Sequence, residues 1–545
     1  MSRMSRRALL GSMAAASVPG LLTACSTGKD DGDTANAGKK LAAWPAYRPA
    51  TGAKPDLAPT DAGVQPGYTS YPAALPASVK RTPGDGSTIR VMSVTFGTPP
   101  KGRADNRYWQ AVEKALGVKV EFTVIPTDDY QKKMATVMAD DPDALPDILN
   151  VFSGFTLPRE AQFVQRRAED LTPFLSGQAA LEYPNLANIP GHAWRDMGRI
   201  GGRIYGVPLE RPLPGSTLWL NQGVFAGAGM REGWTSEDFA AVAGRATKGR
   251  TYALGAGTGS VFGNAVHAAA HGAPSGWAVD GSGVFRPNYT DERYRAAIAY
   301  QAGLRKRGLY HPDAASMSTS DLTTLFLNGT VGSMQNGFGS YQTLYPDAEG
   351  LMTPAPALPY SVGAAAGGIV AARRSFGYTV VKKAKKERVQ LLLRVLDFLA
   401  APFGTKEWEL VHHGVEGTHF TRGADGAPRA TRLGEVENVT NLPFRYLAEG
   451  PQVLFVPGRP EVVRAVHAWQ EKVVPVAIRD ASLGLQSTTR TTQGTTLKAL
   501  MDDATTAVIA GRSPMSAYDE AVRTWRARGG DRMADELAKE HAAAS

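Results

Sequence analysis

Cysteine is nearly missing from this chain, with Cys25 the only one among 545 residues. A single sulfur excludes an intramolecular disulfide framework and any zinc site built from paired cysteines, so stability must come from core burial. Acidic residues are outnumbered by basic ones, 51 to 60, for a formal net charge of +9. Over so long a chain this excess suits solubility and attraction to an anionic envelope, and nucleic acid is not an expected partner. Long apolar runs are missing too. The one candidate, 8–24, falls short of the ~20 residues a spanning helix needs and contains Gly11, Pro19 and Gly20. No nucleophile motif is recognisable. Hydrophobic residues, at 43%, suffice for a large core, and the length suggests two or more lobes.

Arg6 and Arg7 immediately precede the apolar run, which small residues close; that order marks a secretion signal, removed by a peptidase. Its loss would take Arg3, Arg6 and Arg7 and lower the charge by three. Leu22-Thr23-Ala24-Cys25 resembles the lipobox of bacterial lipoproteins, and Arg6-Arg7 resembles a twin-arginine export signal. The resemblance implies a signal peptide at 1–24 and a diacylglyceryl group on Cys25. It also implies residence on the extracytoplasmic face of the bacterial cell membrane, where two acyl chains give stable attachment.

Residues 25–85 read as a tether. Ser, Thr, Gly, Asp and Ala dominate to about Lys40, and prolines then recur at 45, 49, 55, 59, 66, 72, 76 and 83, which forbids regular helix and sheet. Trp44, Tyr47, Tyr68 and Tyr71 are unusual for a free linker and imply that part of it lies as extended coil against the folded body. Globular order is expected from near Gly86. From there strand and helix alternate: a strand over 89–96, a helix over 106–116 closed by Gly117, a strand over 118–125, a helix over 128–138 and a strand over 145–152. The alternation predicts a mainly parallel, doubly covered α/β sheet that binds ligands at the carboxyl ends of its strands, near Phe96, Gly97 and 153–155.

Five further stretches in register carry a family resemblance: ADDPDALPDI at 139–148, GRIYGVP at 202–208 with LWLN at 218–221, WTSEDF at 234–239, FLNGTVGSM at 326–334 and GVEGTHF at 414–420. Together they resemble the solute-binding lipoproteins of ABC importers, in the carbohydrate-binding group, over 86 to the end. Leu220 departs from the family's usual Tyr before Asn221. The segment 246–251 lacks the carboxylates of the calcium loop found in some relatives, so no metal is expected there.

The resemblance implies a two-lobe Venus-flytrap fold with an interlobe ligand cleft. The first lobe would comprise 86–212 and 368–414, the second 221–351 and 415–545, with crossings near 208–221 and 352–368. It implies a monomeric, non-enzymatic receptor that needs no cofactor, closes on a sugar or oligosaccharide and delivers it to an ABC permease. Candidate stacking residues are Phe96, Trp277, Phe338 and Tyr341; candidate hydrogen-bonding residues are Glu210, Arg211, Asn336 and Glu416. Trp219, Trp408 and Trp525 are expected in the core, as is 389–399, and a final helix opened by Ser513-Pro514 is expected on the second lobe. A tethered polysaccharide hydrolase or lyase using Glu210 and Glu416 is the alternative. His267 and His271, at i, i+4, lack the Glu of a zinc protease, and His413, Glu416 and His419 are interrupted by Gly414 and Gly417, so neither set is expected to hold a metal.

Overall fold

The computed structural model describes residues 33–545 except 51, 97, 156, 230–232, 346, 347, 349, 364–366, 372, 373, 438–441 and 545. Cys25, the signal peptide and Gly97 therefore lie outside the described residues. The first lobe is built on a five-stranded sheet of order β2-β1-β3-β10-β4, with β1 Thr88–Thr95, β2 Lys119–Pro126, β3 Ile148–Phe152, β4 Gly206–Glu210 and β10 Ser375–Val381. β1, β2 and β3 are parallel, while β10 runs antiparallel to both β3 and β4. β10 is reversed because it enters this sheet on the chain's return from the second lobe.

Alternation along each strand assigns the two faces. Ile89, Val91 and Ile148 join Tyr108, Val112 and Leu116 of helix Arg107–Leu116 and the apolar side of Lys386–Leu399 in one core. Met92, Val94, Leu149 and Val151 join Tyr130 and Met134 of helix Thr127–Ala139 in the other. The helix ends follow their chemistry. Asn106 caps Arg107–Leu116 by accepting from Trp109 N at 2.8 Å, and Gly117 closes it with φ 67°, a left-handed conformation that costs glycine little.

Among the described residues the second lobe has only two-stranded sheets: β5 Ser216–Leu220 with β8 Ser333–Gly337, β6 Trp277–Val279 with β7 Phe285–Pro287, and β9 Ile369–Val370 with β13 Ala477–Ile478. Its mass is helical. Ser236–Ala246, Glu292–Lys306, Thr488–Ile509 and Met515–Trp525 enclose Phe239, Ile298, Met501 and Trp525. The last of these helices packs on this lobe as expected, but Pro514 occupies the cap position and helical geometry starts at Met515.

Two boundaries differ from the expectation. The chain does not leave the first lobe at Gly414. Gly414 and Gly417, at φ 82° and 75°, fold a turn into the hairpin of β11 Phe420–Arg422 and β12 Pro428–Ala430, and Leu442, Phe444, Leu447 and Ala448 still belong to the first-lobe core. Only beyond Glu449 does the chain cross, so that helix Pro460–Val473 packs against Met334 and Phe338. Ordered packing also begins well before Gly86. Thr34, Asn36, Val64 and Gln65 are buried, Ala42 N donates to Gly202 O, and Tyr68 and Tyr71 pack on Phe403. The prolines exclude helix and sheet here, yet the aromatic and amide side chains find partners on the body.

Three segments run side by side between the lobes. Arg211 N donates to Arg374 O at 3.1 Å, Gly215 N to Val370 O at 2.9 Å and Ala371 N to Ile478 O at 3.0 Å. Such short, backbone-bonded connections are where hinge closure is absorbed.

Candidate ligand-binding site

The carboxyl ends of β1 and β3 and the first residues of the reversed β10 share one edge of the sheet, and aromatic rings gather there. Phe96, just past β1, is 51% exposed and meets Phe152, Phe376 and Tyr446 edge-on at 5.6, 5.8 and 6.0 Å. Phe376 and Tyr446 stack at 4.7 Å. The edge is held from below: Tyr130 Oη donates to Asn150 O and accepts from Phe152 N, while Ser153 N and Oγ both donate to Phe376 O. The result is a fixed aromatic platform with one ring open to solvent.

Two guanidinium groups border it. Arg211, which follows β4, lies with its Cζ 4.6 Å from the Phe376 ring centre, and Arg445 lies 5.2 Å from that of Tyr446. Arg211 Nη1 donates to Glu449 Oε2 at 2.7 Å and to Glu210 O at 2.7 Å. His412 Nε2 and Arg445 Nη1 approach the same Glu449 at 3.5 and 4.0 Å. Burial opposes a charge on Glu449, but Arg211 above all, with His412 and Arg445, holds its carboxyl well below the usual carboxylate range.

Of the residues singled out in the sequence, Phe96, Glu210 and Arg211 fall at this edge. The Glu210 carboxylate is engaged by His192 at 3.4 Å and by Gln452 N at 3.2 Å. Asn336 sits on β8 of the second lobe, its Oδ1 accepting from Gly337 N at 2.7 Å. Trp277, Phe338 and Tyr341 lie elsewhere, as core residues with protein on their faces: Trp277 against Trp525, Phe338 against Trp469 and Tyr341 against Trp219. Glu416 is on the surface beside β11, paired with Arg422 at 3.0 Å, and shares no hydrogen-bond partner with Glu210.

The sequence reading missed Phe376, Tyr446, Arg445 and Glu449. Phe376 sits at the start, not the end, of its strand, and reaches the carboxyl edge only because β10 is reversed. Tyr446, Arg445 and Glu449 lie in a segment assigned to the second lobe, although the apolar spacing of Leu442, Phe444 and Leu447 was a signal of continued first-lobe packing.

The histidine pairs have structural partners. His267 is buried between Tyr360 Oη at 2.7 Å and Tyr310 Oη at 3.2 Å, and burial pushes it down to about 3. His419 Nδ1 accepts from Val415 N, and its Nε2 lies 3.2 Å from Glu437. Among the described residues no group of three or more His, Cys, Asp or Glu is placed to hold a metal ion, and no helix is long and apolar enough to cross a membrane.

Comparison with known proteins gives concordant matches. Residues 97–405, more than half of the chain, match the bacterial extracellular solute-binding protein family. The polygalacturonan/rhamnogalacturonan-binding protein YtcQ of Bacillus subtilis is 21% identical over 457 residues, covering 80% of this chain and 88% of YtcQ. Lipoprotein LipO of the same organism is 22% identical over 84% of this chain and 92% of its own. An HMO-binding solute-binding protein of an ABC transporter from Bifidobacterium longum infantis shares the fold, with a TM-score of 0.61 at 14% identity over 85% of this chain and 99% of that one. The N-glycan transport solute-binding protein of Streptococcus pneumoniae gives 0.60, at 14% identity over 83% and 98%.

Proposed function

This chain belongs to the bacterial extracellular solute-binding protein family, and we propose that it is a non-enzymatic receptor that captures a saccharide between its lobes and delivers it to an ABC permease. The observation that carries the reading is the aromatic platform at the carboxyl edge of the first-lobe sheet, beside the three hinge segments. Sugar C–H faces favour flat aromatic rings, and sugar hydroxyls need planar polar partners when buried. Phe96 offers the open ring, and Arg211 and Glu210 stand where the chain enters the hinge. A ligand touching both lobes favours the closed state by its differential contacts, so capture and closure are one equilibrium. The names of two of the similar proteins, a polygalacturonan/rhamnogalacturonan-binding protein and an N-glycan transport solute-binding protein, support the same class of solute. In this reading the protein acts as a monomer at the extracytoplasmic face of the membrane, tethered through a lipid on Cys25.

Thermal unfolding with and without a panel of neutral and acidic oligosaccharides, each followed for breakdown, tests this. A ligand at ~100 times its Kd adds roughly 2.7 kcal/mol, a rise of a few degrees. The expected result is such a rise with the saccharide intact; product formation, or no rise with any saccharide, overturns the reading.

A further inference from the structure

The groups around the platform are unequal in charge. Arg211 and Arg445 lean on its rings, and His412 stands behind them, yet Glu449 is the one carboxylate that all three approach. The next acid on the edge, Glu210, gives its carboxylate to His192 and Gln452 and only its backbone oxygen to Arg211. Arg445 is 4.0 Å from Glu449, and its Nε is buried without a hydrogen-bond partner. Both hydrogen bonds of Arg211 leave from Nη1. The two side chains remain 18% and 25% exposed, so each can be reached from the cleft. The loop after β1 carries Lys101 and Arg103 against Asp105, with Arg103 paired to Glu113.

Guanidinium groups with spare donors bind a carboxylate through two parallel N–H···O bonds. A neutral sugar offers these donors only neutral hydroxyl acceptors, one bond at a time, whereas a carboxylate offers charge-assisted bonds about twice as strong in the paired geometry that a guanidinium fits. We propose that the solute is an acidic oligosaccharide, one sugar ring lying on Phe96 and a uronate carboxylate pairing with Arg445 and Arg211. This rests on the receptor reading above and adds the charge of the ligand to it. Glu449 then has a second role: it neutralises one positive charge and fixes both guanidinium groups before the ligand arrives.

Calorimetric titration of the full-length protein with uronate trimers (galacturonate, mannuronate, guluronate) and with matched neutral trimers tests the proposal. At least one uronate trimer should bind ten times or more tightly than its neutral counterpart, and its affinity should fall as salt is raised. Arg445→Gln and, independently, Arg211→Gln should each weaken the uronate about tenfold and weaken the neutral trimer by a clearly smaller factor, with Arg445→Lys recovering part of the loss. Thermal unfolding without ligand checks that each variant is folded, and Arg211→Gln serves should Arg445→Gln fail to fold. Equal affinity for neutral and acidic trimers, or uronate binding indifferent to both substitutions, overturns the proposal while leaving the receptor reading in place. Binding of neither class overturns the receptor reading itself.

Discussion

Asn36 and Glu540, 504 positions apart, clasp each other in a buried pair: the backbone N–H and Nδ2 of Asn36 donate to the two carboxylate oxygens at 2.6 and 2.9 Å. Nδ2 also donates to Arg199 O, Oδ1 accepts from Gly202 N, and Ala37 N donates to Glu540 at 2.9 Å. One residue of the amino-terminal segment thus joins the final helix, Asp531–Ala544, to the first lobe. Further along, Gln65 N donates to Gln470 Oε1 on helix Pro460–Val473, and Gln470 Nε2 donates to Leu213 O in the hinge.

Glu540→Ala should therefore cost about 2–3 kcal/mol, since four donors, Asn36 N and Nδ2, Ala37 N and Gln486 N, lose a charged acceptor. A chain starting at Leu41 should be less stable than one starting at Asp33 for the same reason. Urea denaturation of these proteins measures both differences.

Phe96→Ala and Phe338→Ala should behave oppositely. Phe96 is half exposed, so its loss should leave the unfolding midpoint nearly unchanged and weaken saccharide binding. Phe338 is fully buried against Trp469, so truncation should cost about 3–5 kcal/mol. Unfolding and titration of the two variants, side by side, make the comparison.

Asp397 gives a pH dependence. It is buried, and burial pushes it up to about 7, although Asn185 N and Leu186 N both donate to its Oδ1. A carboxyl whose folded pKa is raised holds its proton more tightly when folded, so its contribution is fully present below the unfolded value of 3.8 and is lost as pH rises through about 7. Asp397→Asn keeps an Oδ1 acceptor for both amides and removes the titration. The variant should match the wild type near pH 4 and exceed it in unfolding free energy at neutral pH, by up to a few kcal/mol.

Gly198 and Gly484 meet backbone to backbone between the lobes. A Cβ on Gly484, at φ 78°, would stand 2.0 Å from Arg195 O, whereas one on Gly511, at φ 74°, would meet nothing within 4 Å. Gly511→Ala should cost only the left-handed strain, about 1 kcal/mol, and Gly484→Ala clearly more. Denaturant midpoints of the two variants separate steric contact from backbone strain.

How far the sequence could be read follows from the range of the forces involved. The first-lobe elements were legible because their signals are local: Asn106 and Gly117 bracket a helix, and the alternation from Ile89 to Val94 sorts a strand between two cores. The platform was legible only in part. Phe96 followed from the rule that parallel sheets bind at their carboxyl ends, but Phe376 requires knowing that β10 is reversed, and no local pattern carries strand direction. Trp277, Phe338 and Tyr341 are aromatic residues near glycines, and the same composition serves a packed core as readily as a cleft. The order of residues 33–85 was half visible, in Trp44 and Tyr68, because an extended segment gains stability from partners hundreds of positions away.

The central claim is that a saccharide binds on the Phe96 platform and draws the two lobes together. Hydrogen exchange measured with and without a saccharide that raises the unfolding temperature tests it most directly. The account predicts slowed exchange at 151–155, 375–378 and 444–452 in the first lobe together with segments of the second lobe around 333–337. Slowed exchange confined to one lobe, or absent from the first-lobe segments, would contradict it.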